Sequence, residues 1–255
     1  MHLTTNALVL REVNYKESDK ILTLLTEQEG KLTVSARGCR KKGSVIAAAC
    51  QLLVWGEFTL YEFREMWSVK ETASERLFDG IRADLEKLSL ASYLAEVTEA
   101  LAEEGQPDPG LLAVTLNCLH ALDKLPVSPA QVKAAFEWRA MALAGYEPQL
   151  ERCGVCFREQ PLEPHIHLGE GTVHCAACRS RLGEGVSMPL TPSSLAALRH
   201  IVWGPRKRLL SFRLDGEGMK RLGDAAEAYL MTRLERGFRT LDFYKSITYK
   251  PAGRP

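Results

Sequence analysis

The hydrophobic and polar positions of the first eighty residues read as strands, most strictly in Lys31 to Arg37. In Lys31 to Arg37, Leu32, Val34 and Ala36 fall on one face while Thr33, Ser35 and Arg37 fall on the other, as in a half-buried strand. Ala7 to Val13 and Lys20 to Thr26 are short runs rich in β-branched and aliphatic residues, and Glu29-Gly30 marks a turn into the next. Two further runs occupy Leu52 to Phe63, with Trp55, Phe58, Leu60, Tyr61 and Phe63, and Met66 to Thr72. About five strands in so short a length predict a small closed barrel; an oligonucleotide-binding (OB) barrel fits, and an SH3-like barrel satisfies the same pattern.

From Ile81 the period changes to three and four. Ile81, Leu85, Leu88, Tyr93, Leu94, Val97 and Leu101 predict one long amphipathic helix, stopped by Gly105, Pro107 and Pro109. A second helix is expected over Leu111 to Lys124. Ser128-Pro129 supplies an N-cap and first-turn proline for a third, running to about Gly145, and Thr191-Pro192 repeats that signal for a fourth. A last helix, about Gly218 to Arg236, turns Met219, Leu222, Ala226, Tyr229 and Leu230 inward. The expected fold class is therefore α+β and multidomain: an N-terminal OB-fold barrel over 1–80, then a helical domain over 81–150 and 181–255 that is interrupted by a small cysteine module over 151–180.

That module carries the strongest chemical signal. Cys153, Cys156, Cys175 and Cys178 form C-x2-C, a gap of 18 residues, then C-x2-C, which is the spacing of a closed four-thiolate zinc site. Gly154, Pro161, Pro164, Gly169 and Gly171 make the segment a short ribbon rather than a helix. An iron site on the same thiolates, a disulfide pair and a redox C-x2-C are the alternatives. His165, His167 and His174 lie in or beside the loop and are read as surface imidazoles, because four sulfurs already complete the shell. A closed site of this kind holds structure and leaves no position for substrate.

Composition adds limits. The start of the chain lacks a basic segment followed by a long apolar run, and no apolar stretch is long enough for a bilayer, so the chain is expected to stay in the cytoplasm. Seven cysteines, three of them scattered (Cys39, Cys50, Cys118), suit a reducing compartment. A formal net charge of +1 conceals asymmetry: Lys and Arg against Asp and Glu number 11 to 11 over 1–80, 5 to 10 over 81–150 and 17 to 11 over 151–255. A basic C-terminal part points toward a polyanion without naming one.

Arg37-Gly-Cys-Arg-Lys-Lys-Gly43 sets Arg37, Arg40, Lys41 and Lys42 in a glycine-bounded loop after a strand, a natural phosphate contact and equally a solvated loop. Trp55, Tyr61, Phe63 and Trp67 offer stacking surfaces, although most of them are expected in the core. Arg206, Lys207 and Arg208 begin a second basic region with Arg213, Lys220, Arg221, Arg233, Arg236 and Arg239; for its helical members a charged outer face suffices. The chain has no Walker A pattern, G-x-S-x-G, H-E-x-x-H, or H-x-E paired with P-C-x-x-C. Glu96, Glu99, Glu103 and Glu104 read as solvated helix charge. An enzyme is therefore not expected, and a zinc-stabilised nuclease is the alternative from a different class.

Leu10-Arg-Glu-Val-Asn-Tyr-Lys-Glu-Ser-Asp-Lys-Ile, Thr26-Glu-Gln-Glu-Gly-Lys, Ala36-Arg-Gly-Cys-Arg-Lys, Gly145-Tyr-Glu-Pro, the four cysteines and Phe243-Tyr-Lys-Ser together resemble the RecO family of bacterial recombination mediators, in order and over nearly the whole chain. The resemblance implies a DNA repair protein that binds single- and double-stranded DNA through its barrel and anneals complementary strands. It further implies help in loading RecA onto DNA coated by single-strand-binding protein, together with RecR, and recognition of that protein's tail by the helical domain. Arg37, Arg40, Lys41 and Lys42 match the basic part of the barrel. The cysteines match a zinc ribbon that stabilises without being the seat of activity.

Overall fold

The computed structural model describes residues 2–64 and 66–248, apart from the side chains of residues 74 and 75. The chain forms two compact units, Met1–Leu125 with Phe238–Pro255, and Pro126–Gly237.

The first unit opens with a closed barrel of β1 (His2–Tyr15), β2 (Asp19–Thr26), β3 (Gly30–Ala36), β4 (Trp55–Phe63) and β5 (Met66–Arg76), in the order β1-β2-β3-β5-β4. All neighbours are antiparallel except β3 and β5, which pair in parallel at Val34 with Trp67 and Ser35 with Ser68. This order selects the OB-like barrel over its rival. Closure turns alternate side chains inward, so Leu22, Leu24, Leu32, Val34, Phe58 and Leu60 fill the interior. Burying each such side chain is worth about 1.5–3 kcal/mol. The expected strand from Leu52 begins only at Trp55. Residues 37–54 instead form successive turns that push Cys39, Ile46, Ala49 and Cys50 into the same core.

The β1–β2 register shifts between Val9 and Arg11, just past the part of β1 that is shared with β4. The pairing of β1 with β4 stops at Leu8 opposite Trp55, whereas its pairing with β2 continues to Tyr15 opposite Asp19. The far end of the β1–β2 hairpin is thus a projecting arm with β1 as its free edge.

The single helix expected from Ile81 is two helices, α1 (Asp79–Arg82) and α2 (Leu85–Leu101). Asp84 interrupts the run: its backbone is extended and its side chain accepts the Lys87 N–H at 3.1 Å, which makes it an N-cap. α3 (Pro109–Lys124) packs on α2, where Thr98 and Thr115 share a buried hydroxyl contact of 2.9 Å. A helix absent from the sequence reading, α7 (Arg239–Thr248), also packs on α2 through Leu241 and Tyr244, and Phe238 meets Tyr93 edge-on at 5.7 Å. Two of the glutamates expected to be merely solvated are engaged: Glu96 accepts the Thr240 N–H at 3.1 Å, and Glu99 pairs with Arg11 at 2.9 Å. Gly30 begins β3 at φ +61°, and a Cβ there would lie 2.0 Å from the Gln106 carbonyl oxygen.

The second unit packs α4 (Pro129–Leu143), α5 (Pro192–Trp203) and α6 (Gly216–Leu234) together. The expected caps are in place, with Ser128 accepting from Gln131 at 3.2 Å and Thr191 from Ser194 at 3.0 Å. Trp138 lies against Tyr229, ring centres 5.0 Å apart, and donates to the Leu222 carbonyl at 3.3 Å. Lys133 sits between Glu137 at 2.8 Å and Glu227 at 2.9 Å. Burial alone would lower its pKa, but the two carboxylates outweigh that and raise it. Between α4 and α5 lies a three-stranded sheet, β7 (Thr172–Cys175), β6 (Pro164–His167) and β8 (Ser187–Pro189), in that order. Among the described residues no helix is long and apolar enough to cross a membrane.

Candidate nucleic-acid interface and metal centre

The four cysteines converge. Their sulfurs all lie within 4.8 Å of one another, and those of Cys156 and Cys175 are 3.8 Å apart. A tetrahedral ion with metal–sulfur bonds of about 2.3 Å requires sulfurs separated by about 3.8 Å, so the donor set fits. Cys153 sits where the chain turns back on itself: the Phe157 N–H reaches the Cys153 carbonyl at 3.0 Å and the Cys153 N–H reaches the Arg158 carbonyl at 2.8 Å. β7 ends on Cys175, and the 3₁₀ turn Ala176–Arg181 that follows delivers Cys178. Three of the four are buried and Cys156 is exposed.

Burial works against charge on Cys153, yet the N–H groups of Cys156, Cys175 and Val155 converge on its sulfur and bring its pKa down to about 6. Cys178 moves the opposite way, to about 12, through desolvation and hydrogen bonding with Cys156 and Cys153. Cys153 is thus pushed toward the thiolate while Cys175 and Cys178 are pushed toward the thiol, chiefly by desolvation. A bound cation removes that conflict, since it stabilises all four thiolates together.

The histidines are not the surface groups expected. His167 and His174 are buried, at 1% and 0% exposure. Nor do they join the sulfur cluster. His174 contacts the Cys175 carbonyl at 2.8 Å and the Ser187 hydroxyl at 2.9 Å, and His165 stacks on it at 5.6 Å. His167 accepts the Glu170 N–H at 3.0 Å. They brace the ribbon.

The basic loop of the first unit lies at one mouth of the barrel. Arg37, Arg40, Lys41 and Lys42 are all exposed. The loop that carries them is fixed at both sides, because Cys39 is buried in the core beneath it and Ile46 enters the same core beyond it. Asp19 accepts the Gly38 N–H at 2.7 Å, the Arg40 N–H reaches the Ser18 carbonyl at 2.9 Å, and the Arg40 guanidinium reaches the Lys16 carbonyl at 3.4 Å. That tether brings in Lys16, a cation the sequence reading missed; its signal was the hairpin turn at Lys16 to Ser18, which packs beside the loop only in three dimensions. The Gly38 N–H, aided by the Ser18 hydroxyl and by the charges of Lys16 and Arg37, outweighs desolvation and lowers the Asp19 pKa. Beneath the loop, Lys20 pairs with Glu12 and donates to the Cys50 carbonyl at 3.1 Å. Neither Lys41 nor Lys42 forms an ion pair among the described residues.

The expected stacking residues divide. Trp55 and Trp67 are half-buried, and Trp67 packs on the barrel core, while Tyr61 and Phe63 are exposed and rest against His2 and Arg64. In the second unit, Arg206, Lys207 and Arg208 form an exposed 3₁₀ turn. Their helical companions are largely engaged: Lys220 pairs with Asp224 at 2.6 Å, Arg221 with Glu217 at 2.7 Å, and Arg233 donates to the Gly169 carbonyl at 2.6 Å.

Comparison with known proteins agrees over the full length. Residues 1–78 match the family model described as Recombination protein O N terminal, and residues 82–242 match Recombination protein O C terminal. The DNA repair protein RecO of Desulforudis audaxviator is 33% identical over 247 residues, covering 95% of this chain and 96% of its own. That of Acetivibrio thermocellus is 30% identical over 246 residues, covering 96% and 97%. The RecO protein of Symbiobacterium thermophilum is 28% identical over 249 residues, covering 95% and 96%.

Proposed function

Since this chain belongs to the RecO family of DNA repair proteins, we propose that it is a recombination mediator that binds single- and double-stranded DNA, anneals complementary strands and makes or breaks no covalent bond itself. Acting with RecR, it assists the loading of RecA onto DNA coated by single-strand-binding protein, whose tail it engages. It works in the cytoplasm, associated with the nucleoid. The four cysteines hold zinc as a structural clamp on the ribbon, the ion for which four thiolates at this spacing are best suited.

The observation that carries this reading is the pinned cationic rim, in which exposed Arg37, Arg40, Lys41 and Lys42 gather beside Lys16 at one mouth of an OB-like barrel. Annealing requires two phosphate backbones to approach. Cations on a stiff support screen both strands and release their counterions, and base pairing then supplies the driving force. No nucleotide is consumed. Arg206, Lys207 and Arg208 supply a second contact to DNA.

The test replaces Arg37, Arg40, Lys41 and Lys42 together by Ala. We expect annealing to disappear, with the salt slope of single-strand binding reduced by about 0.7 for each phosphate that is no longer neutralised. Annealing and slope both unchanged would overturn the assignment of the rim. A companion variant with Ala at Arg206, Lys207 and Arg208 reads the second contact in the same way.

A further inference from the structure

The projecting end of the β1–β2 hairpin has an unusual outer face. Along β2 and β3, Leu22, Leu24, Leu32 and Val34 point into the barrel, so Ile21, Ser35 and Arg37 point outward. The ladder sets Val13 opposite Ile21 and Tyr15 opposite Asp19, and cross-strand partners share a face. Lys20 lies opposite Ala36, which puts Asp19 beside Arg37. Tyr15, Asp19 and Arg37 therefore form a row across three strands, roughly 10 Å wide.

Nearer the barrel this same face is covered. α2 packs on β1, where Leu8 is fully buried, and Arg11 reaches Glu99 of that helix. Beyond Arg11 the cover ends. Val13 is 46% exposed and Tyr15 is 47% exposed, with the Lys16 ammonium 5.2 Å from the tyrosine ring centre. A flat aromatic ring and an aliphatic neighbour thus stand in water on the strand edge that adjoins the cationic loop. Five cations (Lys16, Arg37, Arg40, Lys41 and Lys42) stand there against two carboxylates, Glu17 and Asp19, and Asp19 is already held by the Gly38 N–H. The Lys20–Glu12 pair is neutral.

We propose that Tyr15 is a stacking platform for an unpaired nucleobase of single-stranded DNA, with Val13 and Ile21 as its aliphatic margin and Lys16, Arg37 and Arg40 holding the adjoining phosphates. The arrangement combines what sequence-tolerant single-strand binding needs, an aromatic face and a cationic track within one or two nucleotides of each other. A duplex hides its base faces, so it gains from the cations and nothing from the ring. Tyr15 thereby makes the rim prefer single strands.

This inference rests on the rim reading above, and the experiment separates the two. Fluorescence anisotropy measures binding of a labelled oligothymidylate and of a duplex of equal length, across a salt series, to the wild-type protein and to Tyr15→Ala, Tyr15→Phe and Tyr15→Trp. For Tyr15→Ala we expect single-strand affinity to fall roughly five- to a hundredfold, the range for removal of one base stack. The salt slope and the duplex affinity should be unchanged, and Phe and Trp should restore binding. An equal loss for duplex and single strand, no loss at all, or failure of Phe to rescue would overturn the stacking role. If the quadruple cation variant weakens DNA binding while Tyr15→Ala does not, only this inference fails. If the cation variant binds DNA with its salt slope unchanged, the rim itself falls. Circular dichroism and the unfolding midpoint of each variant confirm that the hairpin is intact.

Discussion

The barrel and the cysteine ribbon are both small sheets, and they meet the same difficulty by opposite means. A sheet of few strands has edges to protect and little interior to fill. The barrel abolishes its edges by pairing β3 with β5 and β1 with β4, and fills its interior with aliphatic side chains and Phe58. The ribbon has strands of three and four residues and an open order β7-β6-β8, and Val155 packs against the cluster of Cys153, Cys175 and Cys178. One sheet is closed around its own apolar interior; the other is open, buries Ile166 and Val173, and carries beside them four sulfurs that could hold a metal ion. It follows that the barrel should be indifferent to metal and the ribbon should not.

The largest expected effect comes from breaking that sulfur site. Structural zinc in small peptides contributes about 10–16 kcal/mol of binding free energy, which there is folding free energy. Cys153→Ser or Cys178→Ser should abolish stoichiometric metal and unfold the ribbon, as read by metal analysis and by proteolysis between residues 151 and 190. The affinity of the barrel rim for DNA should stay within about twofold of wild type, a change of about 0.4 kcal/mol. Loss of DNA binding in a variant that keeps its fold would break the comparison, because the sulfur centre would then belong to the interface.

The converse variant removes barrel interior. Phe58 is fully buried, and Phe58→Ala should cost about 3–5 kcal/mol of stability through lost transfer energy and the cavity left behind. Denaturant unfolding measures it. Metal content should remain at the wild-type level, and a fall in it would mean that the two sheets are not independently held.

How much of this was legible in the sequence follows from the reach of each interaction. The strands were legible mainly from their β-branched, aliphatic and aromatic content, with strict alternation only in Lys31 to Arg37; β1 and β2 also bury outward residues such as Leu8 and Leu25, which blurs the period. The cysteine ribbon was legible from spacing, because both knuckles are local. What escaped depends on contacts distant in sequence. The single helix expected after Ile81 breaks at Asp84, whose capping bond to Lys87 competes with helix propagation. The last helix expected from the sequence stops near Arg236, and α7 beyond it escapes because its ten residues bury only Leu241 and Tyr244 and are fixed by packing on α2, a contact distant in sequence. His167 and His174 are read as surface groups because four sulfurs leave no ligand position for them; β6 pairing with both β7 and β8 buries them all the same. Likewise Lys16 and Tyr15 come beside the basic loop only because β1 goes on pairing with β2 to Tyr15 after its pairing with β4 has stopped at Leu8.

The smallest expected effect concerns a feature that rim and ribbon share. In each, backbone N–H groups donate to an ionisable side chain: Cys156 and Cys175 reach the Cys153 sulfur at 3.5 and 3.4 Å, and Gly38 reaches Asp19 at 2.7 Å. For Asp19 the carboxylate pKa is lowered from 3.8, chiefly by the Gly38 bond with help from Ser18, Lys16 and Arg37 against desolvation. A depressed folded pKa means that the ionised form favours the folded loop. Its contribution is therefore fully present above the unfolded value and is lost as pH falls through the folded one. Because Asp19 is only half-buried, the consequence is local: the loop carrying Arg37 to Lys42 loosens in acid while the barrel stays folded. Nuclear magnetic resonance of the Gly38 amide should show a titration with its midpoint below 3.8 that disappears in Asp19→Asn. A midpoint at or above the ordinary carboxylate value would mean that this tether does not hold the loop. The rim would then be a flexible cationic arm, and its contrast with the four-cysteine ribbon would lie in stiffness as well as in the means of closure.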